Sequence, residues 1–288
     1  MTDFPAPLSD ADLIVPLNPS GAATPLVCVH ASAGSAYPYL PLARLLGADQ
    51  PVLGIEAPGF DGEQAPVSSV PDLSARYAAA LREAVPGGAV HLLGWSLGGL
   101  ITFDMARRLA GAGVEVGRVF LVDSSPPHPY PMPPESETAG RFLHDIAASL
   151  GLGDLRVEID ALVAGHDGGT DAFFREVQHL GAWPSELDAR LLGERYAVFH
   201  AHTLAAHTYE PPGRYDGPVW HLLASKSPPQ DGRWAELAPD LTEHTVPGDH
   251  HSIWYGDSLR RLAALIRSAL AGSVPGGETE AHRNSTFQ

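Results

Sequence analysis

Residues 89–100 read Ala-Val-His-Leu-Leu-Gly-Trp-Ser-Leu-Gly-Gly-Leu. The apolar run of Val90, Leu92 and Leu93 has the length and flanks of a buried strand. Gly94-Trp95-Ser96-Leu97-Gly98 is a G-x-S-x-G pattern, and Gly99 follows directly. Beyond it, Leu100, Ile101, Phe103, Met105, Ala106 and Leu109 recur at helical spacing until Gly111 and Gly113 stop the run. A strand can turn into a helix through one residue only if that residue accepts a strained backbone and its neighbours lack bulk. Gly94 and Gly98 supply that clearance and leave the Ser96 hydroxyl at the tip of the turn. The Leu97 N–H then lies at a helix N-terminus, where unpaired donors and the helix dipole favour a developing negative charge. A Gly-rich turn that happens to contain serine accounts for the five residues alone. It does not account for the strand before them and the helix after.

Outward from this turn, the pattern alternates. Leu26-Val27-Cys28-Val29 is a continuous apolar run fit for a central parallel strand, ending in the small-residue loop His30-Ala31-Ser32-Ala33-Gly34-Ser35. Leu13 to Leu17 reads as an edge strand, Leu40 to Leu46 as a short helix and Pro51 to Glu56 as a strand. Val70 to Val85 is an amphipathic helix with Val70, Leu73, Tyr77, Leu81 and Ala84 on one face. Arg118 to Val122 is the next strand, ending in Asp123. Such alternation predicts an α/β fold, a mostly parallel sheet with right-handed crossovers and helices on both faces. Residues 124–135 are Pro-rich and fit neither helix nor central strand. From 137 to 207 only helical periodicity appears, with Phe142, Ile146 and Leu150 opening the first piece, which suggests a helical lid inserted between sheet strands. Strands resume at Pro218–Leu223 and Thr242–Val246, and a helix over 258–271 closes the fold. The resulting division is a leading segment over 1–24, a core over 25–124 and 208–271, a lid over 125–207, and a tail over 272–288 for which disorder is expected.

A serine hydroxyl needs a base, and the base needs a third group to hold it. Residues for such work gather in loops at the carboxyl ends of parallel strands. Asp123 stands at one; a turn-initiating Asp before Ser124 and Ser125 is the bland alternative. Where a strand–turn–helix serine of this kind is used, the histidine comes last in the chain. Thr245-Val246-Pro247-Gly248-Asp249-His250-His251 supplies it after a strand end, with His250 and His251 both available. A second oxyanion donor is expected from the backbone of Ala31 or Ser32. Among the 14 histidines, His200, His202 and His207 invite a metal reading. Spacing of i and i+2 does not share a helix face, and no metal-ligand motif is present, so no metal is expected.

Composition sets the outer limits. A chain of 288 residues, 44% hydrophobic, can bury a full core. A formal net charge of −16 argues against nucleic acid or an anionic membrane as partner. The single cysteine, Cys28, permits no disulfide framework and reads as a small core residue. Met1 to Asp12 has neither a basic n-region nor an apolar h-region, and no stretch approaches the length of a membrane span. A cytoplasmic protein is therefore expected.

Taken together, these motifs resemble the thioesterase domains that terminate non-ribosomal peptide and polyketide synthetases, within the α/β-hydrolase superfamily. The resemblance covers nearly the whole chain. Leu26-Val-Cys-Val-His-Ala-Ser-Ala-Gly-Ser looks like the family's first strand and oxyanion loop, and Pro51 to Asp61 like its next strand and turn. Gly94-Trp-Ser-Leu-Gly-Gly looks like its nucleophile motif, in the Trp form common among peptide-synthetase members. Tyr209-Glu-Pro and Tyr215-Asp-Gly-Pro-Val look like the way out of the lid. Gly248-Asp-His-His matches the family's Gly-x-His and selects His250. The lid itself matches little beyond being helical.

The resemblance implies a serine thioesterase with Ser96, His250 and Asp123 as its catalytic residues. Its oxyanion hole would comprise Leu97 and Ala31 or Ser32. It implies no bound cofactor or metal, and an acyl or peptidyl substrate carried on the 4'-phosphopantetheine of a carrier protein. Release would follow by hydrolysis or macrocyclisation. Carrier domains are usually acidic, as is this chain, so docking is expected to use local lid arginines such as Arg141, Arg175, Arg190 and Arg195. The alternatives are a discrete editing thioesterase, a carboxylesterase or acyltransferase on small molecules, and a binding module that kept the fold without catalysis.

Overall fold

In the computed structural model, which describes residues 10–165, 169–180 and 183–272, seven strands form one sheet. They are β1 (Ile14–Asn18), β2 (Leu26–Val29), β3 (Val52–Ile55), β4 (Val90–Trp95), β5 (Val116–Val122), β6 (Val219–Ala224) and β7 (Leu241–Val246). Their spatial order is β1-β3-β2-β4-β5-β6-β7. Every pairing is parallel except that of β1 with β3, so the reading of a mostly parallel α/β sheet with an edge strand at Leu13–Leu17 holds to within a residue.

The side-chain period of two explains how short strands separate two cores. Val27 and Val29 of β2 face one side while Leu26 and Cys28 face the other. Val90 and Leu92 oppose Leu93 and Trp95 in β4; Val119 and Leu121 oppose Phe120 and Val122 in β5. One face is covered by α2 (Val70–Ala84) and α3 (Leu97–Gly111), the other by α1 (Leu40–Leu46) and α9 (Gly256–Leu270). Burial on both faces is what makes these strands continuous apolar runs rather than alternating ones. Cys28 is fully buried, and burial pushes its thiol pKa far up, as expected of a core residue.

Between β5 and β6 the chain forms α4 (Glu135–Ser149), α5 (Arg156–Gly165), α6 (Thr170–Val177) and α7 (Ala189–Thr208). Phe142, Leu143, Ile159, Phe174, Leu192, Tyr196 and Phe199 form a third core of their own. Asp188 caps α7 by accepting the Leu191 N–H at 2.8 Å, which satisfies a donor left open at the helix start. The C-terminal end of α7 belongs to the sheet's core through Ala205 and the following Tyr209. This one helix therefore ties the inserted unit to the main body.

Three details depart from the sequence reading. Ala84 is exposed as the last residue of α2, and Leu150 is 47% exposed as the residue that ends α4; helical spacing alone does not show where a helix outruns its neighbour. A five-residue helix, α8 (Arg233–Leu237), is too short to produce a periodicity signal. The tail beyond Gly272, like the first nine residues, lies outside the described residues. Among the described residues no helix is long and apolar enough to cross a membrane.

Candidate active site

The turn between β4 and α3 is as tight as its glycines suggest. Ser96 has φ 57° and ψ −125°, a conformation that costs a non-glycine residue of order 1–3 kcal/mol. Its N–H donates to Val122 O at 3.0 Å, fixing the turn to β5. A Cβ on Gly94 would lie 2.0 Å from Gly98 O; one on Gly98 would lie 2.6 Å from both His30 O and Val29 O. Any side chain at either position would force the helix off the sheet. Leu97 is the first residue of α3, so its N–H has no partner within the helix.

Asp123 follows β5 with φ 43°, and its N–H donates to Leu222 O at 2.9 Å. Its carboxylate is saturated with donors. Oδ1 accepts the Ala224 N–H at 2.9 Å, and Oδ2 accepts the Ser227 hydroxyl at 2.8 Å and His250 Nδ1 at 2.6 Å. Burial alone would raise the Asp123 pKa, but the bonds from His250, Ala224 and Ser227 outweigh it and hold the carboxyl below its usual range. Because a carboxylate only accepts, Nδ1 of His250 carries a hydrogen and Nε2 of the neutral ring is left as the base. His250 packs beside Trp95, with ring centroids 5.1 Å apart. Ser96, Leu97, Asp123 and His250 line one cleft of about 370 Å³, together with Ser32 and Arg141. Among the described residues no hydrogen bond joins the Ser96 hydroxyl to His250.

The tandem histidines are separated by their partners. His251 Nε2 lies 3.2 Å from Asp145 on α4, and burial together with the neighbouring His250 pushes its pKa down to about 4. It lines a second, largely apolar cavity of about 490 Å³ with Trp95, Phe142, Ile146 and Trp254. Of the two residues expected to offer a second oxyanion donor, Ala31 is buried whereas Ser32 lines the cleft that holds Ser96 and His250. Ser227 and the Ala224 N–H went unread in the sequence, since no local pattern links them to a carboxylate a hundred residues away.

Most of the other singled-out side chains have structural partners. His202 bonds Ser32 O at 2.8 Å and His207 bonds Pro131 O at 3.1 Å. His200 packs near the Tyr196 ring. Among the described residues no group of three or more His, Cys, Asp or Glu side chains is placed to hold a metal. Arg141 and Arg190 pair with Glu137 and Glu194 on their own helices at 2.6 Å each. Arg195 stacks 3.5 Å from the Phe60 ring centroid, and Arg175 is exposed.

A mostly parallel sheet with a strained serine between strand and helix, and an Asp–His pair beyond the ends of β5 and β7, defines an α/β-hydrolase fold. Within it the chain belongs to the Thioesterase domain family, a family of hydrolases, whose model matches residues 24–270. The chain is 36% identical over 133 residues to a dimodular nonribosomal peptide synthase of Bacillus subtilis, covering 46% of this chain and 6% of that protein. It is 35% identical over 144 residues to the thioesterase frbD of a Dothideomycetidae species, covering 50% of this chain and 51% of that one. Among solved structures, holo-AB3403, a four-domain nonribosomal peptide synthetase bound to AMP and glycine, superposes with a TM-score of 0.77. That match is 25% identical and covers 88% of this chain and 20% of that chain. The chain thus spans only a small part of the synthetases it matches, and about half of frbD.

Proposed function

We propose that this chain is a serine thioesterase that releases an acyl or peptidyl group from the phosphopantetheine thioester of a carrier protein in natural-product biosynthesis. The observation that carries the reading is the 2.6 Å Asp123–His250 contact on the cleft that also holds Ser96 at a strained turn. In this mechanism Ser96 Oγ attacks the thioester carbonyl while His250 Nε2 takes its proton. Asp123 holds the imidazole in the required tautomer and stabilises it when charged. The backbone N–H groups of Leu97 and Ser32 receive the oxyanion. Collapse breaks the C–S bond, and His250 returns the proton to the departing pantetheine thiolate. Water, or an amine or hydroxyl of the acyl chain itself, then attacks the Ser96 ester with His250 again as base, giving a free acid or a macrocycle.

Residues 125–207 form the lid in this reading, over a core of 25–124 and 208–271, and the reaction belongs to the cytoplasm, where carrier-bound chains are built. The apolar cavity fits the acyl chain, since its walls are sequence neighbours of the reacting groups. Trp95 precedes Ser96, His251 follows His250 and Ala33 follows Ser32.

Exposure to an acyl-pantetheine thioester followed by mass spectrometry is the direct test. The expected result is an acyl adduct on Ser96, absent in Ser96→Ala, with a free acid or cyclic product in solution. Faster turnover of the matching simple ester than of the carrier-bound thioester would exclude the carrier reading. Failure of Ser96 to take up either an acyl group or a fluorophosphonate would exclude the catalytic one.

A further inference from the structure

The loop Ala31–Ala33 has no ladder to hold it, yet an oxyanion donor must be fixed before the reaction begins. Two buried histidines hold its carbonyls. His30 Nδ1 donates to Ala31 O at 2.8 Å, and that same carbonyl accepts the Gly34 N–H at 3.0 Å. His202, from α7, donates Nδ1–H to Ser32 O at 2.8 Å. A trans peptide is planar, so its N–H points opposite to its C=O. Anchoring the Ala31 carbonyl therefore fixes the direction of the Ser32 N–H, and anchoring the Ser32 carbonyl fixes the plane that follows.

The two imidazoles form one unit. They stack with centroids 4.8 Å apart and planes 14° from parallel, and both side chains are fully buried. His30 Nε2 accepts the Tyr77 hydroxyl at 2.6 Å, which completes its ring. Among the described residues Nε2 of His202 is buried without a hydrogen-bond partner, so there the Ser32 carbonyl is the polar contact its ring makes. Burial pushes the pKa of His202 down to about 4, and that of His30 well below its usual value. Both rings are thus neutral near pH 7 and stack without charge repulsion. One turn earlier on α7, Val198 blocks the space a Cβ on Gly34 would need, at 3.0 Å. The helix that joins the inserted unit to the core therefore rests directly on the oxyanion loop.

We propose that His202 is a positioning residue that acts on the Ser32 N–H from α7 in two ways, by holding the Ser32–Ala33 peptide and by stacking on His30, the ring that anchors the Ala31 carbonyl, so that the seating of α7 determines whether the oxyanion hole is assembled. This rests on the reading of Ser32 and Leu97 as oxyanion donors. The role requires an N–H at the Nδ1 position, which discriminates between two conservative variants. An Asn amide can place its N–H near Nδ1, whereas a Gln amide reaches toward Nε2.

The test compares His202→Asn, His202→Gln and His202→Leu with the wild type. Thermal stability, kcat and KM on an acyl-pantetheine thioester, and the second-order rate of fluorophosphonate labelling are measured. The phosphonyl oxygen of that reagent occupies the oxyanion position. Loss of a whole donor typically costs 10²–10³ in kcat; a misaimed one should cost less. His202→Gln and His202→Leu are expected to lose about 10- to 100-fold in kcat and in labelling rate, with KM changed less than about twofold. His202→Asn should stay within about threefold of wild type. Variants that fold and lose stability yet keep wild-type kcat and labelling overturn the proposal, as does an Asn variant as impaired as the Leu one. A wild-type protein inert to both reagents instead removes the oxyanion reading beneath it. An active wild type with an unimpaired Leu variant removes this inference alone.

Discussion

Asp123 combines two demands that few residues meet together. Its backbone sits at φ 43°, a region Asp and Asn tolerate better than other side chains with a Cβ. Its carboxylate must accept three hydrogen bonds and leave His250 protonated on Nδ1. Asp123→Asn retains the backbone and the size but offers only one acceptor oxygen beside an NH₂ group. Facing the imidazole, that group would favour the wrong tautomer, so kcat should fall on the order of 10³–10⁴-fold with KM little changed. Steady-state kinetics on a thioester substrate check this; a loss under tenfold would mean that the carboxylate is a turn residue only. That Ser96 and Asp123 stand at one rim of the sheet is legible in the sequence because each follows a strongly apolar strand; His250 follows the mostly polar β7 and is read instead from chain order and the Gly-x-His resemblance. Ser227 is not legible, because its bond to Asp123 spans 104 positions. The bond from His202 to Ser32 O is hidden for the same reason, although the spacing of His202 from Val198 and Phe199 puts it on the buried face of α7.

Helix α3 is oriented by its far side as much as by the serine at its start. Asp104 is 1% exposed and accepts from Arg107 at 3.1 Å, Arg108 at 2.7 Å and the Tyr209 hydroxyl at 3.1 Å. Ser74 of α2 bonds the same carboxylate. One buried anion thus joins α2, α3 and the exit of α7. Asp104→Ala would leave the buried Tyr209 hydroxyl without its acceptor and Arg107 and Arg108 without their carboxylate partner, with Ser74 falling back on Pro71 O and Arg108 on the Ser74 hydroxyl. The expected cost is about 3 kcal/mol of unfolding free energy, read from the urea midpoint. The kcat of the folded fraction should remain within about twofold, since Asp104 lies outside the cleft. The type and order of elements are readable from the sequence because strands buried on both faces give short continuous apolar runs, whereas the amphipathic helices give longer segments of 3.6-residue period. The short α8 is not. Its Trp234 nevertheless donates to Ser124 O at 2.9 Å, steadying the residue after Asp123, a contact that no periodicity encodes.

Across the whole molecule, folding buries several imidazoles in their neutral form. His202 and His91 are pushed by burial to about 4 from an ordinary 6.5, and His30 is also well below it. In the unfolded chain these rings take up protons near pH 6.5; in the folded chain His202 and His91 resist until about pH 4, and His30 likewise resists well below its ordinary value. The unfolded state therefore binds more protons across that window, so stability rises with pH through it and is lost as pH falls. Asp123 has the same sign at lower pH. Its depressed carboxyl pKa gives stability that is present above the ordinary value of 3.8 and disappears on further acidification. For His202 alone the interval corresponds to roughly 3 kcal/mol. Urea unfolding at pH 7.5, 6.0 and 5.0 should show a steadily falling free energy. His202→Asn, which has no proton to gain, should flatten the slope by up to about 1.4 kcal/mol per pH unit. An unchanged slope in that variant would mean that its ring titrates alike in the folded and unfolded chain. The stack beneath Ala31–Ala33 could then not be the neutral, desolvated pair on which the proposed coupling of α7 to the site depends.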